Sequence, residues 1–131
     1  MSLSAYRRTL GQTETPRQIE RRIMVRITAD LSQHADRFDR AADRAERLGL
    51  LAGGLRSALS ENVRLWSALK ADLMSPGNAL PSDLRGGLVN LAAFVERHTG
   101  AVLGGEGKVS ALVDVNRPVI AALSGAATGA G

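Results

Sequence analysis

Cysteine is absent from the 131 residues, which excludes disulfides, thiolate metal sites and cysteine nucleophiles. Aromatics are scarce: Tyr6, Phe38, Trp66 and Phe94 make up 3% of the chain, so a core must come from Leu, Val, Ile and Ala. No apolar run approaches the ~20 residues needed to span a bilayer, so no membrane insertion is expected. The opening "MSLSAYRRTLGQ" lacks a signal-peptide core, and the chain reads as soluble and cytoplasmic. Catalytic constellations are missing too. His34 and His98 fall on different segments without metal-ligand spacing, and neither "GGLRSALS" nor "GGEGK" carries a phosphate-binding or dinucleotide fingerprint. The serines occupy no nucleophile elbow. A non-enzyme with no catalytic, metal or cofactor residues is the expectation.

What is present suits a small helical domain. Hydrophobic residues reach 44%, enough for one core. The net charge of +4 is uneven, with ten arginines against seven acids in residues 1–50 and seven basic residues against six acids thereafter. Arg7, Arg8, Arg17, Arg21, Arg22 and Arg26 face only Glu14 and Glu20 in sequence. Such a cluster suits nucleic acid, a membrane surface or an acidic protein partner, and equally a solvated helix face.

Periodicity predicts a short helix from Ser2 to about Leu10, carrying Leu3, Tyr6 and Leu10 on one side. Thr15, Pro16 and Gln18 then form a capping-box sequence. The helix it opens carries Ile19, Ile23, Ile27 and Leu31 four apart, then Ala35, Phe38, Ala42 and Ala45. Asp36–Arg40 and Asp43–Arg47 read as i,i+4 pairs on a solvated face. Gly49, Gly53 and Gly54 predict a break near 49–54. A third long helix is expected from about Leu55 to Met74, with Leu55, Leu59, Val63, Trp66, Leu69 and Leu73 on its stripe. Asn62 falls on that same stripe, where a buried amide must be hydrogen-bonded; it is either a structural bridge or a ligand contact.

Ser75-Pro76-Gly77-Asn78 has turn chemistry, with proline fixing φ and glycine and asparagine tolerating positive φ. Pro81 then holds Leu80 extended before a fourth helix that runs to about Leu103. The short connection predicts an antiparallel hairpin. Gly86-Gly87 in the first turns of that helix implies either a distorted turn or the close approach of another backbone. "GGEG" at 104–107 stops it, and a last helix is expected from about Lys108 to Leu123, kinked or split at Pro118. The expected fold is all-α, a compact bundle of four to five helices around a central antiparallel hairpin. Residues 1–123 form one domain and residues 124–131 a flexible, disordered tail.

Several of these stretches together resemble the FlaF family of flagellar biosynthesis proteins. The resemblance rests on "SAY" near the start, "TETPRQIE", the central "ENVRLWSALKADLMSPGNALPSDLR" and the following "LVNLAAFVERHTGAVL". Its structural signature residues here are Thr15, Pro16, Asn62, Trp66, Pro76, Gly77, Asn78 and Pro81. The "RFDRAADRAERLGLLAGG" region is longer and more charged than the family pattern, which leaves the end of the second helix open. The resemblance implies a cytoplasmic factor in flagellin synthesis and export, acting on flagellin as a binding chaperone and in balance with FlbT, a flagellin mRNA regulator.

Export chaperones of this type hold an amphipathic cargo helix against their own helices. The expected contact surface is the N-terminal helices with helix four: Tyr6, Ile19, Ile23 and Ile27 for apolar contact, Arg17, Arg21 and Arg85 for polarity and register. The alternatives are direct RNA binding by the arginine cluster, as a translational regulator, and an adaptor that binds FlbT.

Overall fold

The computed structural model describes residues 15–129, with side-chain surroundings given through residue 124. The expected Ser2–Leu10 helix, and Tyr6 with it, lie outside the described residues. Five α-helices follow: α1 (Pro16–Arg40), α2 (Arg44–Leu50), α3 (Leu55–Leu73), α4 (Ser82–Leu103) and α5 (Val109–Gly129). A 3-10 turn at Leu51–Gly53 links α2 to α3. The described residues contain helices and turns and no strand, as the all-α expectation requires.

Helix α1 begins as its sequence dictates. Thr15 Oγ1 accepts from the Gln18 amide at 3.1 Å, and the Thr15 amide donates back to Gln18 Oε1 at 2.8 Å. Two otherwise orphaned donors of the first turn are thereby satisfied. The inward face is Met24, Ile27, Thr28, Leu31 and Phe38. Ile23 and Ala35 only flank it, because residues four apart drift 40° per step around a helix.

Helix α1 ends at Arg40, earlier than its apolar pattern predicts. Asp43 opens α2, accepting from the Glu46 amide at 2.9 Å, while Glu46 reaches back to the Ala42 amide at 3.0 Å. The expected Asp43–Arg47 pair is therefore replaced by a cap. Arg47 instead lies 5.2 Å above the Phe38 ring and donates to the carbonyls of Asp39 and Gly105. Asp36–Arg40 does pair, at 3.1 Å, on an open surface where it contributes little.

The hairpin joins α3 to α4 as predicted, but its turn works differently. Neither Gly77 nor Asn78 has a positive φ. Asn78 acts through its side chain: Nδ2 donates to Asp72 Oδ2 at 3.2 Å and Oδ1 accepts from the Leu80 amide at 3.0 Å. Ser75 Oγ adds a bond to the Asp72 carbonyl. Helix α4 begins after Pro81 and is regular through Gly86-Gly87, where an added Cβ would meet nothing within 4 Å. Neither of the two reasons expected for that glycine pair is present.

At the far end, Gly105 takes φ +83° and closes α4 with both bonds of a Schellman motif, Glu106 N to Ala101 O and Gly105 N to Val102 O, each 2.9 Å. A side chain there would also meet Arg44, with its Cβ 2.7 Å from Arg44 Cγ. Helix α5 then starts under a cap from another helix: Asp39 accepts from the Val109 and Ser110 amides at 2.7 and 3.1 Å. The expected split at Pro118 does not occur, and α5 continues past Leu123 to Gly129. Pro118 and Asp114, whose carbonyl loses its helical donor, both lie on the exposed side of the helix.

Helix α1 runs antiparallel to α5 and to α3, with Asp39 against Val109, Thr28 against Asn116 and Arg26 against Glu61. With α4 antiparallel to α3, the four long helices form an up-down-up-down bundle. Helix α1 packs most extensively on α5, and α3 on α4; the seam between α4 and α5 is the thinnest.

Candidate partner-binding cleft

Three helices meet at a buried polar node inside the apolar core. Asn116 Oδ1 accepts from the Trp66 indole at 2.9 Å, and Asn116 Nδ2 donates to Asn62 Oδ1 at 2.9 Å and to Thr28 Oγ1 at 3.0 Å. Asn62 and Asn116 are fully buried, and Thr28 and Trp66 nearly so. Asn62 thus bridges α3 to α5 from its place on the apolar stripe. Asn116 was missed, although it shares the helical stripe of Val109, Leu112, Val113 and Val119. The node fixes the rotation of α1, α3 and α5 about their axes, since each amide must meet its partner in a dry interior.

Trp66, itself buried, also borders a cleft of about 500 Å³. The cleft occupies the hairpin end of the bundle, where α1 and α4 begin and α3 and α5 near their ends. Its apolar wall is Trp66, Leu69 and Leu73 from α3, Leu80 and Leu88 from the turn and α4, and Val119 and Leu123 from α5. Thr15, Pro16, Arg17 and Glu20 of α1 close one side, and Asp72 and Asn78 add polar groups. The cap that starts α1 and the asparagine that shapes the turn therefore position this cleft.

Its electrostatics differ from those of the whole chain. Burial lifts the Glu20 carboxyl above its ordinary value, the Asp72 charge lifts it further, and Arg17 opposes both. Between the ordinary glutamate range and that raised value, the folded chain holds a proton the unfolded chain has released. Stability accordingly falls as pH rises through this window and stays lower above it. Glu20→Gln should therefore raise the melting temperature at pH 7 and leave it unchanged near pH 3, measured by circular dichroism.

The expected contact residues separate in the structure. Arg17 lines the cleft. Ile19, Ile23, Arg21 and Arg85 are half-buried, with Ile23 packed against the core, and the Nε atoms of Arg21 and Arg85 are buried without a hydrogen-bond partner. Ile27 is 2% exposed and belongs to the core cluster. Thr15, Pro16, Trp66 and Asn78, first read as structural, wall the cleft; Pro76, Gly77 and Pro81 belong to the turn. The arginine cluster is also divided. Arg26 bonds Glu61 at 2.6 Å and Asp30 at 3.3 Å, and the bond to Glu61 raises its pKa further.

Among the described residues, no group of His, Cys, Asp or Glu could hold a metal ion, and no helix is long and apolar enough to cross a membrane. Residues 2–123 match the family model described as flagellar protein FlaF. No curated protein and no solved structure matches the chain.

Proposed function

The chain belongs to the FlaF family of flagellar proteins, and from that premise we propose that it is a non-enzymatic, cytoplasmic flagellar biosynthesis factor that binds flagellin as an export chaperone and promotes its synthesis and secretion. One observation carries this reading furthest. Residues of the family-like stretches, among them Thr15, Pro16, Trp66, Asp72 and Asn78, converge on an apolar cleft and not on a cluster of reactive groups. At about 500 Å³ the cleft lies within the roughly 300–1,000 Å³ range of pockets that bind ligands, and it has room for several apolar side chains.

Direct RNA binding is the weaker reading, because Arg26 of the cluster is held between two acids. Co-expression with the cognate flagellin, followed by size exclusion and mass measurement, tests the proposal. A stable complex free of RNA is expected. A chain that elutes alone, or one that retains RNA and releases it steeply with salt, would retire it.

A further inference from the structure

The cleft's charge is opposite in sign to that of the protein around it. The chain carries +4, yet the charged residues that line the cleft are Arg17, Glu20 and Asp72, with a sum of −1. Glu20 and Asp72 belong to different helices, α1 and α3, both line the cleft, and the Asp72 charge disfavours ionisation of Glu20. Asp72 helps to shape the turn through Asn78, but Glu20 has no such bond to explain it, and its partial burial penalises the charged form. A cation delivered from outside would offset that penalty.

Shape points the same way. The cleft lies between Leu88 of α4 and Val119 and Leu123 of α5, the two helices that share the thinnest seam of the bundle. Two large apolar side chains close to its lining residues in sequence are exposed. Met74, next to Leu73, is 67% exposed, and Leu84, one turn before Leu88, is 44% exposed.

We infer that this cleft seats a cationic amphipathic helix of the partner, with apolar side chains entering between Leu88 and Val119 and a lysine or arginine meeting Glu20 and Asp72. This assignment rests on the proposed cargo-binding role and deepens it by naming the seat and the chemistry of what fills it. Helix-in-groove recognition supplies the geometry: anchors at i, i+3 or i+4 and i+7 fall on one stripe, and a basic residue at its edge sets the direction of the helix. Electrostatic repulsion by the rest of this basic protein makes the local acidic pair the selective element.

Trp66 is the only tryptophan and lines the cleft, so its emission reports occupancy. The test titrates the full chain with a helical peptide of leucine and lysine and with its leucine–glutamate counterpart, then repeats both with a Glu20→Lys, Asp72→Asn variant. Asparagine at 72 keeps an oxygen for Asn78, and circular dichroism checks that the variant is folded. Binding of the lysine peptide with a shift in Trp66 emission, at least tenfold weaker in the variant, is the expected result, together with weak binding of the glutamate peptide. A Leu88→Phe variant, which fills the cleft without changing its charge, should lose binding of the same peptide.

Equal affinity of wild type and charge variant, equal affinity for the two peptides, or no binding by either would overturn the assignment. So would a homodimer that the same substitutions dissociate, since a second copy would then own the cleft. Flagellin provides the separating arm. A wild-type chain that takes the lysine peptide but never flagellin keeps the cleft assignment and removes the proposed cargo. A flagellin complex untouched by both variants keeps the cargo and removes the cleft.

Discussion

Replacing Asn116 with alanine is expected to destabilise the bundle by about 3–5 kcal/mol, a large share of the roughly 5–15 kcal/mol that separates a folded domain from its unfolded chain. The single amide serves three partners, the Trp66 indole, the Asn62 carbonyl oxygen and the Thr28 hydroxyl, and all are buried. Truncation strands these groups at once and opens a cavity among α1, α3 and α5. Asn62→Ala should cost clearly less. Asn62 supplies one acceptor, its own Nδ2 has no hydrogen-bond partner, and Asn116 would keep Trp66 and Thr28. Urea unfolding followed by Trp66 emission measures both midpoints. Equal losses at the two positions would mean that side-chain volume, and not the shared amide, carries the cost.

The elements legible in the sequence were those set by local chemistry. The Thr15–Gln18 box, the turn at 75–78 and the glycines at 104–107 each act within a few residues, and each ended or began a helix where expected. Asn62 stood out because an amide on an apolar stripe must find a partner. Asn116 carries the same signal, an amide on the stripe of Val109, Leu112, Val113 and Val119. Pro118 proved harmless because both it and Asp114 face solvent. The break at Ala41–Asp43 was hidden for the opposite reason. "ADRFDRAADRAERL" keeps good helical periodicity throughout, and Asp43 serves as well in an i,i+4 pair as in a cap. Tertiary contacts decided the outcome: Arg47 is drawn to Phe38 and to the Gly105 carbonyl, nearly sixty residues away in sequence.

The candidate site was less legible than the fold. The early stripe of isoleucines suggested a surface, yet the structure turns Ile27 fully inward and presses Ile23 against the core. A single helix's pattern cannot show which apolar residues its neighbours will cover. The cleft depends on four helices converging at one end, and its acidic pair joins Glu20 and Asp72, which no sequence spacing relates. The stretch around the turn, legible in sequence only as a hairpin connection, supplies much of the cleft's wall.

Removing the Asp39 carboxylate is the second substitution with a large expected effect, because it uncaps a helix seventy residues downstream. Asp39 Oδ1 and Oδ2 take the amides of Val109 and Ser110 at 2.7 and 3.1 Å, where the N-terminal end of α5 carries partial positive charge. The bonds are charge-assisted and partly buried, so Asp39→Ala should cost about 2 kcal/mol, the upper end for a lost helix cap. Asp39→Asn should cost roughly half of that, since one oxygen still accepts a bond while the interaction with the helix dipole is lost. Denaturant midpoints rank the two. Hydrogen exchange separates capping from simple loss of packing: the Val109 and Ser110 amides should lose protection first, while amides in the middle of α3 change only with global stability. Uniform loss of protection across all helices would contradict a capping role. The far ends of α1 and α4 meet at this same cap, through Arg44 on the Gly104 carbonyl and Arg47 on Asp39 and Gly105. Asp39 therefore closes the end of the bundle away from the cleft, and its loss should loosen α5 from that end while the Asn116 node still holds the helix at its middle.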